Sequence, residues 1–158
     1  VKREDGGPAI YRQERIGKGG RPFFIYKFRS MKINAEEGKP QLCIKEDEDR
    51  LTRIGRFLRD HHLDELPQLF NVLRGDMSLV GPRPPLPSEV AQYEPRVMGK
   101  FAVRPGITGL WQISGRSNLS WDETVHLDLS YAQHRSLTLD AWIMLQTVPA
   151  LLRSEGAY

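Results

Sequence analysis

The sequence predicts a helix-rich α+β domain: a small amino-terminal β-hairpin, then short helices joined by proline and glycine turns. Three features predict it. An aromatic, β-prone run at 21–28 follows a glycine-rich turn. Apolar residues then recur with helical spacing in several later stretches. Between those stretches stand proline- and glycine-rich breaks.

Each element follows from its residues. Residues 9–13 read as an extended piece, and the glycines at 17, 19 and 20 turn the chain back into 21–28, which makes a hairpin. Residues 36–50 are polar and charged, with KEDEDR at 45–50; they read as a solvated loop, because the acids lack the glycine and spacing of a calcium loop. Leu51, Ile54, Phe57 and Leu58 form a helical stripe over 51–60. Arg53, Arg56 and Arg59 recur on that helix, each rotated about 60° from the last, and fan into a basic face. Such a face suits solvent, an anionic membrane surface or a phosphate pocket. Leu66, Leu69, Phe70 and Leu73 repeat the stripe in a helix expected over 65–74, capped by Asp64 and ended by Gly75. GPRPPLP at 81–87 is a stiff extended turn, and RPGITG at 104–109 is another, leading into a short apolar strand candidate at 110–113. Ser120 and Glu123 make a capping box that opens a helix to about residue 134. Thr138 is placed to cap a last helix, which Pro149 is expected to bend or break.

At 158 residues, with 39% apolar and 27% charged side chains, the chain suits one globular domain over 1–158. Its single cysteine, Cys43, excludes a disulfide framework and fits a reducing compartment. No apolar run approaches the ~20 residues that span a bilayer, and no signal peptide is visible. The net charge is +3 and the pI about 9.1, and sixteen arginines stand against seven lysines. Arginine forks onto phosphate and carboxylate, so nucleic acid, acidic lipid and phosphorylated small molecules all remain partners. A nucleic-acid-binding module is the rival class of function, though no known binding motif supports it.

The adjacent carboxylates Asp64 and Glu65 allow two readings. In one, Asp64 caps a helix and Glu65 sits in its first turn. In the other, the same helix start favours an incoming phosphate. One acid attacks phosphorus, as carboxylates do in forming acyl phosphates, and the other holds a divalent cation. Arginines must then offset the mutual repulsion; Arg59, and Arg83 stiffened by prolines on both sides, are the candidates.

KFRSM at 27–31, LDELPQLFNVLRGDMSLVGPRP at 63–84 and RPGITGLWQISGRS at 104–117 together closely resemble the bacterial sugar transferase family, the monotopic polyprenyl-phosphate phosphoglycosyltransferases. The resemblance runs from residues 11–20 to the terminal GAY. It implies transfer of a hexose-1-phosphate from a UDP-sugar to a polyprenyl (undecaprenyl) phosphate, with release of UMP. This is the first step of bacterial surface polysaccharide or glycoconjugate assembly, at the cytoplasmic face of the inner membrane.

The resemblance also implies roles. Asp64 is the nucleophile that becomes a phosphosugar-aspartyl intermediate, and Glu65 helps to bind Mg²⁺. Lys27, Arg59 and Arg83 contact phosphates. Arg104, Gln112, Arg116 and Ser117 are candidate nucleotide or sugar contacts, and RPGITGLWQISGRS suggests the hexose branch. Two departures stand out. The amino-terminal hydrophobic helix of family members is missing, so membrane contact is expected through a segment upstream. His61-His62 stand where small polar residues are expected. The hexose, the polyprenol length and the existence of a homodimer are left open.

Overall fold

The computed structural model describes residues 4, 6–33, 35, 50–115 and 118–152. β1, Ile10–Ile16, and β2, Pro22–Phe28, pair antiparallel with Ile10 opposite Phe28 and Ile16 opposite Pro22. This is the expected hairpin, with a first strand longer than the 9–13 stretch. A 3-10 turn at Lys18–Gly20 joins the strands.

The KFRSM segment then becomes a clamp. The Arg29 guanidinium donates to the Pro8 and Met31 carbonyls at 2.7 and 3.0 Å. The Ser30 carbonyl accepts from the backbone and hydroxyl of Thr52, at 2.9 and 3.2 Å. Thr52 also caps α1, Arg53–Asp60, by accepting from the Gly55 N–H at 2.8 Å. Gly55 is there because α1 crosses the Ser30 carbonyl at backbone contact; a Cβ would lie 1.9 Å from that oxygen.

The helix expected over 65–74 is split. Leu63–Glu65 form a 3-10 turn, and α2 covers only Gln68–Arg74. Pro67 has no N–H to donate to the Leu63 carbonyl, which takes the Leu66 N–H at 3.2 Å instead. Gly75 ends α2 at φ 84°, as expected.

The stripe on α2 marks a helix, but its apolar side faces outward. Leu69, Phe70 and Leu73 are exposed, and Asn71 is fully buried. Asn71 turns inward because it completes the hairpin's backbone. Its amide donates to the Phe24 carbonyl at 2.7 Å and accepts from the Tyr26 N–H at 3.2 Å.

β3, Ser78–Val80, leads into the proline turn and α3, Pro87–Val90. A long 3-10 stretch, Pro95–Ala102, precedes β4, Gly106–Thr108, which pairs in parallel with β3. This parallel pair is not legible in the sequence. The strand expected at 110–113 is instead α4, Leu110–Ser114. The Gly109 carbonyl accepts from both Gln112 and Ile113, which closes a helical turn at once after β4.

α5, Trp121–His134, opens on the predicted Ser120–Glu123 capping box. α6, Leu137–Leu152, runs through Pro149 without a break. Its cap is Ser136 rather than Thr138: the Ser136 hydroxyl accepts from the Leu139 N–H at 3.1 Å. The acidic loop at 36–49, with Cys43, lies outside the described residues.

The core gathers Val80, Val103, Tyr131 and Ile143, with Leu110, Ile113, Ala132 and Leu139 packed against it. Tyr131 links three elements through its hydroxyl, 3.1 Å from the Val80 carbonyl and 2.6 Å from the Asp140 carboxylate. Tyr131→Phe is expected to cost about 1–2 kcal/mol in urea unfolding, since a buried carbonyl loses its donor. An unchanged midpoint would show that the hydroxyl does not join these elements.

Candidate active site

The 3-10 turn between α1 and α2 carries the acidic pair. It is entered through His62 at φ 54°, ψ 21°, left-handed backbone that is uncommon for a residue with a Cβ. Holding it costs on the order of 1 kcal/mol, a strain that functional sites commonly store. Beyond His62, Asp64 is buried at 8% exposure while its neighbour Leu66 is 49% exposed. Asp64 therefore does not cap a helix; its carboxyl is turned into the protein.

Four of the expected residues converge there. The Lys27 ammonium lies 2.7 Å from Glu65 Oε1, across 38 residues of chain. Burial pushes the Asp64 carboxyl above its ordinary 3.8, and Glu65 adds to this; the Lys27 and Arg59 charges oppose the rise. Glu65 behaves differently. Burial raises it too, but Lys27, by charge and hydrogen bond, with His62 and the Gln68 amide, outweighs that and holds it below 4.5. The two acids are thus split: one is ionised by its partners, and the other is a poorly solvated carboxylate. Such separation marks functional pairs.

Arg83 has a second setting. Its Nη1 is 3.2 and 3.3 Å from the two Glu89 oxygens, while Glu89 Oε2 accepts from the Leu86 N–H at 2.5 Å. Glu89 thereby fixes both the proline turn and the direction of Arg83. Of the other candidates, Arg104 is exposed, its Nη2 3.8 Å from where a Cβ on Gly75 would lie, and no described contact ties it to the dyad. The Gln112 amide donates to the Ile107 carbonyl at 3.0 Å within the β4–α4 turn. Arg116 and Ser117 lie outside the described residues.

Gln68 and Glu89 were not found from sequence. Gln68 stands three residues after Glu65, and that spacing was the available signal. Glu89 follows Leu86 at capping-box distance. The His61 ring lies on Phe57, with centroids 4.3 Å apart, and its Nδ1 is 2.8 Å from the Phe57 carbonyl.

Residues 1–154 match the bacterial sugar transferase family. The chain belongs to that family. It is 47% identical over 166 residues to a galactosyl transferase, CpsE, of Streptococcus agalactiae serotype III (strain NEM316), covering 98% of this chain and 37% of that protein. It is 44% identical over 168 residues to an undecaprenyl-phosphate galactose phosphotransferase of Salmonella typhimurium, covering 98% and 35%. Against a UDP-glucose:undecaprenyl-phosphate glucose-1-phosphate transferase of Caulobacter vibrioides it is 45% identical over 168 residues, covering all of this chain and 62% of that protein. The chain thus spans little more than a third of the first two proteins. The family match leaves the nucleic-acid module without support.

In this bacterial sugar transferase, a group of three or more His, Cys, Asp or Glu side chains able to hold a metal is absent among the described residues. Magnesium does not need one. It is commonly held by one or two carboxylates, with waters and substrate phosphates completing its shell. The ionised Glu65 carboxylate is a group of the kind that demand calls for.

Proposed function

We propose that this protein transfers a hexose-1-phosphate from a UDP-hexose to undecaprenyl phosphate. The observation that carries the reading is the convergence of Lys27 and Arg59 on a dyad whose members differ in charge preference. Asp64 is the nucleophile. A desolvated carboxylate is more reactive than a hydrated one, and the two cations offset the approach of a diphosphate. Its oxygen bonds to the sugar-bearing phosphorus as the bond from that phosphorus to the UMP oxygen breaks, and the electron pair leaves with UMP. A phosphate oxygen of the lipid then displaces Asp64 from phosphorus and restores the carboxylate. The acceptor is already an anion near neutral pH, so it needs no general base. Glu65 would hold Mg²⁺ against the donor diphosphate; the ion supplies neutralisation of phosphate charge. Arg83 would steady the departing phosphate.

The surroundings suit a lipid acceptor. Leu66, Leu69, Phe70 and Leu73 stand exposed just beyond the dyad, and Ile54 and Phe57 on α1. Arg53 and Arg56 are exposed on that same helix. Apolar side chains bordered by arginines fit the surface of an anionic leaflet, and the cytoplasmic leaflet of the inner membrane is the one that meets UDP-sugars. No helix among the described residues is long and apolar enough to cross a membrane.

Intact-mass measurement tests the reading. Incubation with Mg²⁺ and UDP-galactose or UDP-glucose should add one phosphohexose to the protein and release one UMP, and EDTA should suppress both. Release of free hexose phosphate with no covalent adduct at any time, under rapid quench, would replace the two-step transfer by direct displacement.

A further inference from the structure

On β1 the side chains of Tyr11, Gln13 and Arg15 are half-buried, while Arg12 and Glu14 are exposed. The register places Tyr11 opposite Lys27 and Arg15 opposite Phe23. Lys27 and Arg15 therefore share the inward face of the hairpin, separated by about 14 Å of strand. Lys27 meets the dyad at one end of this face; Arg15 meets the proline turn at the other.

Among the described residues, the Arg15 guanidinium is held by neutral acceptors. Nε and Nη2 donate to Gln13 Oε1 at 3.1 and 2.6 Å, and Nη1 donates to the Pro84 carbonyl at 3.1 Å. The next residue ties the same turn, with the Ile16 N–H 2.9 Å from the Pro85 carbonyl. Burial, and after it the nearby Arg83 charge, bring Arg15 down to about 10, while Glu89, Tyr11 and Glu65 act the other way. Two arginines thus stand close together, and among the described residues the carboxylate bonded to either of them is Glu89, on Arg83.

The charge balance has a consequence. Arg83 is paired with Glu89 and Lys27 with Glu65. Among the described residues, Arg15 bonds only to neutral acceptors. Two of its five N–H groups are not engaged by Gln13 or Pro84. We propose that Arg15 is a binding residue for the phosphate of the leaving nucleoside monophosphate, acting beside Arg83. This rests on the reading of the donor as a nucleotide sugar.

The test uses membranes containing the protein for turnover and purified protein for binding, with UMP as the probe. Arg15→Gln should weaken UMP binding and raise the KM for the donor by about 10- to 100-fold, the loss of one charge-assisted bond. Arg15→Lys keeps the charge and should recover most of both, with a melting temperature equal to that of the Gln variant. Equal losses in the Lys and Gln variants, tracking lowered melting temperatures, would make Arg15 a strut and overturn the proposal. So would UMP binding unchanged in Arg15→Gln. If the wild-type protein binds no UMP and releases none from UDP-galactose or UDP-glucose, the functional reading fails and this inference with it. Failure in the Arg15 variants alone overturns only this one.

Discussion

Asp64→Asn is expected to abolish donor turnover, by roughly 10³-fold or more, while making the protein more stable at neutral pH. The loss follows from removing the proposed nucleophile, and the gain from burial, the largest cause that raises the Asp64 carboxyl above 3.8. A raised carboxyl favours its protonated form in the fold. Its stabilising contribution is fully present below 3.8 and is lost as pH rises through the raised value. At pH 7 the native state therefore carries an unfavourable ionised group, which asparagine removes.

Urea unfolding from pH 3 to 8 should show the variant ahead at high pH and the gap closing in acid. UMP release by the wild type should fall as the pH is lowered through that range, because the protonated carboxyl is no nucleophile. UMP release by Asp64→Asn at more than a few per cent of the wild-type rate would remove Asp64 from the centre of the reaction, and lower stability than wild type at pH 7 would overturn the burial argument.

Lys100→Met should produce the largest loss of stability, about 3–5 kcal/mol. Lys100, in the long 3-10 stretch, and Asp128, on α5, meet at 2.5 Å with side-chain exposures of 7% and 2%. The Tyr93 ring lies 5.9 Å from the ammonium. Removing the lysine strands a buried carboxylate. Asp128 is already raised, first by burial, with Lys100 opposing. Without Lys100 it should rise further, so the deficit should shrink as pH falls and the group protonates.

The double variant Lys100→Met with Asp128→Leu should recover most of the loss, because two apolar side chains replace the pair at little net cost. Urea midpoints for the four proteins check this. A single-variant cost below about 1 kcal/mol would mean that water reaches the pair.

Much of this was legible in the sequence because its rules are local. The hairpin follows from glycines at 17, 19 and 20, and α5 from the Ser120 capping box. The resemblance located Asp64, Glu65, Lys27 and Arg59, and the fold brings these together. What escaped depends on tertiary packing. Pairing of β3 with β4 joins three-residue strands across 25 intervening residues, too short to show a period. The outward apolar side of α2 was hidden because periodicity reports a helix without saying which side faces in; the buried amide of Asn71 decided that. Glu89 and Arg15 escaped because each acts through a proline-turn carbonyl or a partner guanidinium, and neither contact has a spacing signature.

Asn71 carries one more consequence. A two-stranded ribbon of this size does not hold its shape alone in water; here the Asn71 amide, with the Arg74 guanidinium on the Tyr26 hydroxyl at 3.3 Å, ties it to α2. Lys27 rides on that ribbon. On the mechanism proposed above, each transient undocking that withdraws the ammonium from Glu65 lowers the competent fraction of molecules. Activity is therefore set to fade on warming ahead of global melting, and a bound nucleotide that bridges ribbon and turn delays that fading by mass action.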